Sequence, residues 1–283
     1  MIAPFGIRLR SLMNKRGALC VGIDPHASLL SAWGLDDDAR GLERFAMTCV
    51  EALAGQVAVL KPQSAFFERH GSAGVAVLER VVREAREAGA LVITDAKRGD
   101  IGSTMTAYAQ AYLDQSSPLA TDALTVNPYL GYESLRPALD LAAAQRCGIF
   151  VLGLTSNPEA GQVQHAVGPQ GGSVAAAIVA GVSADNAGCP DLGDVGLVVG
   201  ATIGSAVTDL GIDLAASHAP LLAPGIGAQG AGAGELAKVF GAAVRNVLPS
   251  SSREVLGAGP SVTALQDAAD RTLDACRAVL GEP

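Results

Sequence analysis

Residues 90–100 read Ala-Leu-Val-Ile-Thr-Asp-Ala-Lys-Arg-Gly-Asp, a short apolar run that ends in a cluster of charged side chains. The run lacks the alternation of a half-exposed strand, which is typical of a parallel strand buried on both faces. Residues i and i+2 of a strand point to the same side. If the strand continues past Thr94, Asp95 and Lys97 leave it in the same direction. Asp100 can then return towards Lys97 or reach a neighbouring subunit.

Similar apolar runs recur along the chain, and helical patterns separate most of them. Eight strands, each followed by a helix, in 283 residues predict a (β/α)8 barrel. A doubly wound open sheet is the alternative, because periodicity alone does not distinguish the two. The predicted strands are residues 18–23, 57–60, 90–94, 123–126, 148–153, 195–200, 220–223 and 243–248.

The predicted helices lie between and after these strands. We expect one domain over residues 1–283, with a loop elaboration at residues 159–194 whose first part, residues 159–172, is rich in Gly and Gln. Those Gln side chains are candidates for ligand contacts. The predicted helices are residues 38–53, 75–88, 103–113, 132–144, 173–184, 205–214, 233–240 and 262–280.

The composition argues against several classes of protein. A net charge of −8 is unfavourable for a nucleic-acid-binding surface. No run approaches the roughly 18 apolar residues of a transmembrane helix, and residues 1–17 lack the apolar stretch of a signal peptide, so we expect no membrane partner. The five cysteines form no CxxC pair and have no histidine cluster nearby. This pattern indicates reduced thiols in a cytoplasmic protein rather than a zinc site.

Two of the four lysines in the chain close adjacent predicted strands. Lys61 follows the second strand and Lys97 follows the third. Because barrel active sites lie at the carboxyl ends of the strands, we expect both lysines to meet Asp95 at one mouth. Neighbouring carboxylates favour the ammonium form of a lysine. Such a lysine is a poor nucleophile, but it can donate a proton to a carbanion or stabilise one.

A candidate phosphate site follows the last two predicted strands. Residues 224–230, Pro-Gly-Ile-Gly-Ala-Gln-Gly, form a glycine-rich loop after the seventh strand. Glycines let backbone N–H groups approach an anion closely, and barrels often bind phosphate after strands seven and eight. Arg253, after the eighth strand, would supply a bidentate charge partner. The pattern therefore predicts a small phosphorylated substrate.

Residues 95–104, Asp-Ala-Lys-Arg-Gly-Asp-Ile-Gly-Ser-Thr, resemble the D-x-K-x-x-D-I-x-x-T signature of the orotidine 5′-monophosphate decarboxylase family. Gly22-Ile23-Asp24-Pro25, Lys61-Pro62-Gln63 and residues 224–229 add to the resemblance, which spans residues 24–253. The length of the chain and its Lys-Pro-Gln and Pro-Ser-Ser-Ser-Arg elements resemble the longer bacterial subfamily. It implies a (β/α)8 homodimer that converts orotidine 5′-monophosphate to UMP and CO₂, the last step of UMP synthesis. It also implies that neither a metal nor an organic cofactor is needed.

The resemblance implies a role for each matching residue. Lys61, Asp95, Lys97 and Asp100 would form a charged tetrad, with Lys97 as the proton donor to C6 of the pyrimidine and Asp95 near the departing carboxylate. The partner subunit would contribute Asp100. At the ribose, the resemblance implies contacts from Asp24 and from Thr104 of the partner subunit. Ile101 would line the carboxylate pocket from across the dimer, and Ser156 or its alternative Thr155 would contact the base. Pro224, Gln229 and Arg253 would lie at the phosphate end.

Two other functions are compatible with such a barrel. A magnesium-dependent sugar-phosphate aldolase or keto-acid decarboxylase shares the Asp-x-Lys-x-x-Asp third strand, but it carries an acidic metal ligand after the second strand. Lys61 stands at that position here and would repel the cation. A non-catalytic sensor of a phosphorylated ligand would have little use for the tetrad, since burying such charges is unfavourable.

Overall fold

The computed structural model describes residues 2–169, 171–225 and 233–280. Eight parallel strands close a barrel in sequence order, and the last strand pairs with the first through Ser250 and Cys20. The predicted (β/α)8 barrel is therefore confirmed, and the open sheet is excluded. The strands are β1 Cys20–Ile23, β2 Val59–Pro62, β3 Leu91–Arg98, β4 Ala123–Val126, β5 Gly148–Leu154, β6 Val195–Val199, β7 Leu221–Pro224 and β8 Val247–Ser251.

The helices surround the strands and bury one apolar face against them. In the third helix this face recurs at helical spacing through Leu42, Phe45, Cys49 and Leu53. No helix among the described residues has the length and apolar character to cross a membrane. The helices are α1 Phe5–Arg16, α2 Ala27–Ala32, α3 Ala39–Leu53, α4 Ser64–Glu68, α5 Gly71–Glu87, α6 Gly102–Leu113, α7 Arg136–Gln145, α8 Gly161–Gln164, α9 Val174–Asp185, α10 Ala206–Asp209, α11 Ala233–Phe240, α12 Arg253–Leu256 and α13 Val262–Leu280.

Helix α1, which was not predicted from the sequence, contributes to the interior of the barrel. Its residues Phe5, Leu9 and Met13 are buried in the same apolar cluster as Ile93 and Phe150 of the strands. The rings of Phe5 and Phe150 meet edge to face with centroids 5.9 Å apart. The fold was predicted from strands that are each followed by a helix. A helix that precedes the first strand lies outside that pattern.

Several predicted boundaries were wrong. The predicted strand 243–248 begins only at Val247, because Gly241–Asn246 form a 3₁₀ helix. An apolar run of this length fits either structure, and periodicity does not decide between them. The predicted helix 205–214 is only the single turn α10, since Gly211 has a φ of +64° and breaks the helical path. Residues 159–172 are not one irregular loop, because they contain α8.

Candidate active site

Strand β3 departs from regular geometry where its charged residues lie. Its pairing with β4 shifts register between Thr94 and Arg98. Within this bulge Lys97 has a φ of +46°, a conformation that side-chain-bearing residues seldom adopt. The expectation that Asp95 and Lys97 follow the simple alternation of a strand was therefore wrong. Both side chains nevertheless line one cleft at the carboxyl end of the barrel, as the sequence predicted.

Asp95 lies at the centre of a compact array of charges. Its Oδ2 is 3.0 Å from Nζ of Lys61, and its Oδ1 is 2.6 Å from Nζ of Lys97. The hydroxyl of Thr125 in β4 also donates to Oδ1, over 2.8 Å. Each oxygen of this buried carboxylate thus has a cationic partner, and the structure brings together three of the four residues predicted for the tetrad.

The electrostatics keep the array ionised. Burial acts to raise the pKa of Asp95, but Lys61 and Lys97 outweigh it and lower this pKa to about 2. Burial likewise acts to lower the pKa of Lys61, yet the attraction of Asp95 and Asp24 holds it above its ordinary value. Near neutral pH the cleft therefore presents the ionised carboxylate of Asp95 beside the ammonium group of Lys61.

Replacing Asp95 with asparagine should lower the free energy of unfolding by about 2 kcal/mol at neutral pH, since a tenfold change in an acid dissociation constant corresponds to roughly 1.4 kcal/mol. A depressed folded-state pKa stabilises the protein above the unfolded-state value, and this stabilisation disappears as the pH falls through the folded-state value. The difference between wild type and Asp95→Asn should therefore shrink from about pH 5 towards about pH 2.

Urea unfolding at neutral pH and at about pH 3 measures this difference. Asp267→Asn is the matched control, because Asp267 is an exposed carboxylate of α13. We expect the control to differ from wild type by the same small amount at both pH values. An Asp95→Asn difference that stays constant across this range would contradict the proposed charge pairing.

The array lies in a cleft of about 910 Å³. Apolar side chains of β5, β6 and β7 lie beside the charges, and polar residues of the loops continue the lining towards β8. This volume is in the usual range for sites that enclose small organic ligands. The lining residues are Asp24, His26, Lys61, Asp95, Lys97, Thr125, Leu152, Thr155, Asn157, Gln164, Val198, Leu222, Pro224, Gly225, Ser250, Ser251, Ser252, Arg253 and Glu254.

Asp24, which follows β1, and Ser252, which follows β8, carry buried polar atoms, and both residues lie close to Gly22. Oδ1 of Asp24 and Oγ of Ser252 have no hydrogen-bond partner within the described part of the chain. A Cβ at Gly22 would lie 3.1 Å from both the Asp24 carboxylate and Cβ of Ser252, so these groups would have to shift slightly to admit a side chain. Because buried polar atoms normally form hydrogen bonds, these two atoms indicate a place where a bound ligand supplies the partners.

The end of β5 decides which of two predicted base-contacting residues faces the cleft. Thr155 lines the cleft, whereas Ser156 is exposed and lies next to Gly200. Gln164 of α8 holds Thr155 in place: the Thr155 N–H donates to Oε1 of Gln164 over 2.9 Å, and Nε2 of Gln164 donates to Oγ1 of Thr155 over 2.8 Å. The geometry thus favours Thr155 for a ligand contact from this strand.

The residues predicted at the phosphate end are partly described. Pro224 ends β7 and lines the cleft, as does Arg253 at the start of α12. Gly225 follows with a φ of +94°, which only glycine adopts readily. Gln229 lies outside the described residues.

Three residues of the signature do not join the array within one chain. Asp100 accepts a hydrogen bond from the N–H of Ile101 over 2.8 Å. Ile101 is 62% exposed, and Thr104 is exposed on α6. Tyr129 and Leu130, which follow β4, are also exposed apolar residues. Ile101, Tyr129 and Leu130 therefore form exposed apolar surface near the ends of β3 and β4.

Thr125 was not predicted from the sequence, and His26 was not among the predicted site residues. Thr125 is the one hydroxyl-bearing residue of β4, and that break in an apolar strand was the available signal. His26 lines the cleft and packs on Phe66 with ring centroids 4.3 Å apart.

No cluster of three His, Cys, Asp or Glu side chains suited to a metal occurs among residues that the structure describes.

Comparisons with known proteins agree with this geometry. The sequence profile described as "Orotidine 5′-phosphate decarboxylase / HUMPS family" matches residues 17–268. The chain is 65% identical to an orotidine 5′-phosphate decarboxylase of Streptomyces coelicolor over 95% of each chain. It is 62% identical to a protein of the same name from Salinispora tropica over 98% of each.

Solved structures give the same result. A Streptomyces avermitilis crystal structure, provisionally described as an orotidine 5′-phosphate decarboxylase, superposes with a TM-score of 0.94 at 62% identity, covering 99% of this chain and 96% of that one. The OMP decarboxylase of Leishmania donovani has a TM-score of 0.75 at 29% identity, over 98% of this chain and 99% of the other.

Proposed function

The chain belongs to the orotidine 5′-phosphate decarboxylase / HUMPS family, and from this premise we propose that it converts orotidine 5′-monophosphate to UMP and CO₂. The observation that carries the proposal is the array around Asp95, in which the ammonium groups of Lys97 and Lys61 each contact one oxygen of the buried carboxylate. This reaction is the last step of UMP synthesis, and the chain is a carboxy-lyase.

Lys97 supplies the proton that the reaction needs. The bond between C6 and the carboxylate breaks, its electron pair stays on C6, and CO₂ leaves. No conventional electron sink adjoins C6, so a fixed positive charge must stabilise the carbanion. An ammonium beside C6 stabilises the transition state more than the ground state, which is the condition for catalysis. Lys97 then transfers its proton to C6, and solvent reprotonates the amine.

Asp95 destabilises the bound substrate relative to the transition state. Its carboxylate contacts Nζ of Lys97, where the substrate carboxylate would approach, and two neighbouring carboxylates repel one another. The repulsion disappears as CO₂ leaves, so it favours the transition state relative to the bound substrate. Binding energy from the remote phosphate offsets the repulsion.

The remaining contacts follow from the shape of the cleft. Asp24, whose buried Oδ1 has no hydrogen-bond partner among the described residues, accepts a hydrogen bond from a ribose hydroxyl. Arg253, together with Pro224 and Gln229 at the loop after β7, binds the phosphate. The base lies beside Thr155 or Ser156, and the exposure of Ser156 favours Thr155.

The active enzyme is a homodimer in this proposal, and each site takes Asp100, Ile101 and Thr104 from the partner subunit. The support is the exposed surface at the ends of β3 and β4. Helix α6 has no charged residue, although most of its side chains are exposed. An uncharged helix surface next to an exposed Ile101 is suited to contact with another subunit.

The protein acts in the cytoplasm on a small molecule, without nucleic acid or membrane partners. The support is the net charge of −8 and the five cysteines, all free and four of them buried. Reduced thiols are typical of that compartment.

Decarboxylation of orotidine 5′-monophosphate is expected to proceed unchanged in EDTA, because Lys61 stands where a metal-dependent relative would carry an acidic ligand. An ultraviolet assay that follows conversion of the orotate ring to uracil, with and without EDTA and with added Mg²⁺, measures this directly. Turnover that EDTA abolishes and Mg²⁺ restores would favour the metal-dependent aldolase class. Binding of the nucleotide without turnover would favour a sensor.

A further inference from the structure

Thr125 is a buried hydroxyl residue within β4, with 1% of its surface exposed. Its hydroxyl contacts two active-site residues of β3, Asp95 and Lys97. Its Oγ1 donates to Oδ1 of Asp95 over 2.8 Å and accepts from the backbone N–H of Lys97 over 2.9 Å. A hydroxyl has one proton to donate, and here that proton is directed at the carboxylate of the array.

The second of these bonds falls where the backbone is strained. Lys97 has a φ of +46°, and such a conformation persists only when its surroundings hold it. The register shift between β3 and β4 interrupts the regular ladder there. The Thr125 hydroxyl therefore takes the place of a ladder carbonyl as acceptor for the Lys97 N–H.

The first of these bonds, from the Thr125 hydroxyl to Asp95, helps to fix the position of the Asp95 carboxylate. Lys61 binds Oδ2 of Asp95 and is itself buried, so that oxygen has a fixed partner. Oδ1 is shared by Thr125 and Nζ of Lys97, and the Lys97 side chain is 42% exposed. Without Thr125, Oδ1 would depend on this partly exposed lysine alone.

From these contacts we infer that Thr125 is a positioning residue: it fixes the Asp95 carboxylate and the Lys97 backbone so that the Lys97 ammonium points at the reacting carbon. This inference rests on the proposed decarboxylation. The role is distinct from packing, because the γ-methyl group of threonine can pack without either hydrogen bond. It also predicts that the hydroxyl, rather than the side-chain volume, is what the reaction requires.

Thr125→Val keeps the shape and removes the hydroxyl, and Thr125→Ser keeps the hydroxyl and removes the methyl group. For Thr125→Val we expect kcat to fall about 10- to 100-fold with KM within about threefold, as for a misplaced catalytic group. For Thr125→Ser we expect kcat within about threefold of wild type. Steady-state kinetics with orotidine 5′-monophosphate, and urea unfolding of each variant, provide the measurements.

Thr121→Val is the matched control. Thr121 is equally buried just before β4, and its hydroxyl donates to the carbonyl of Val92 rather than to the array. We expect this variant to lose stability and keep its kcat. Wild-type kcat in Thr125→Val, or an equal fall in Thr125→Ser, would overturn the inference. If Thr125→Val does not fold, the Thr125→Ser result alone decides. A wild-type enzyme without turnover would instead refute the proposed function.

Discussion

Replacing Lys97 with alanine is expected to lower kcat/KM at least about 10⁴-fold, since the variant loses both a proton donor and the charge that stabilises the carbanion. In the structure Nζ of Lys97 is 2.6 Å from Oδ1 of Asp95, and both residues line the cleft. Lys61 offers the nearest other ammonium, but Oδ2 of Asp95 holds it on the far side of the carboxylate. No other described residue of the array can therefore replace the lost proton donor.

The Lys97→Ala variant should remain folded. The Lys97 side chain is partly exposed, and its removal leaves Asp95 bonded to Lys61 and Thr125. Alanine is no better suited than lysine to the positive φ at this position, so the backbone strain is unchanged. Near-wild-type unfolding in urea, together with binding of UMP, would establish that the loss is catalytic.

Lys97→Arg separates the two roles of the lysine. Arginine keeps a positive charge but does not release its proton, so this variant should stay impaired although the charge remains. Lys15→Ala, at an exposed lysine of α1, should retain full activity. Substantial residual kcat in Lys97→Ala would refute Lys97 as the proton donor and require another acid in the cleft.

The sequence predicted the centre of this site because barrel topology is a strong constraint. Once the strands were assigned as parallel and closed, Lys61 and Asp95 had to meet at one mouth, whatever their exact boundaries. The position of Lys97 was predicted on a weaker argument. Simple strand alternation predicted that Lys97 lies beside Asp95. In the structure Lys97 reaches Asp95 because the strand bulges and Lys97 adopts a positive φ. Its proximity to Asp95 was predicted correctly, although the path of the chain was not.

The features that were not predicted from the sequence depend on contacts between distant parts of the chain. Thr125 reaches Asp95 only because of the register of β4 against β3, which local patterns do not specify. Gln164 selects Thr155 through a pair of hydrogen bonds from α8, a helix too short to show periodicity. Side chains of helix α1 pack into the apolar cluster inside the barrel, and strand and helix alternation does not predict such a helix before the first strand.

Mixing inactive Asp100→Ala and Lys97→Ala subunits should restore activity if each site combines residues of two chains. A hybrid dimer then has one site with both Lys97 and Asp100 intact and another that lacks both. Random exchange of equal amounts puts half of the subunits in hybrids, so about a quarter of the wild-type activity should return. Decarboxylation assays of the mixture test this value. Hybrids of differently tagged subunits, purified through both tags, should have about half of the wild-type activity, since every dimer then has one intact site.

The decisive control pairs Lys97→Ala with Lys61→Ala. Both lysines contact the same Asp95 within one chain, so each site of that hybrid lacks one of them and no activity should return. Recovery in the first mixture but not in the second would place Asp100 across the interface and both lysines on one side of it. Equal recovery in the two mixtures would mean that exchange merely stabilises damaged subunits. No recovery in the first, with exchange verified by the tags, would place Asp100 in its own subunit's site or outside the site altogether.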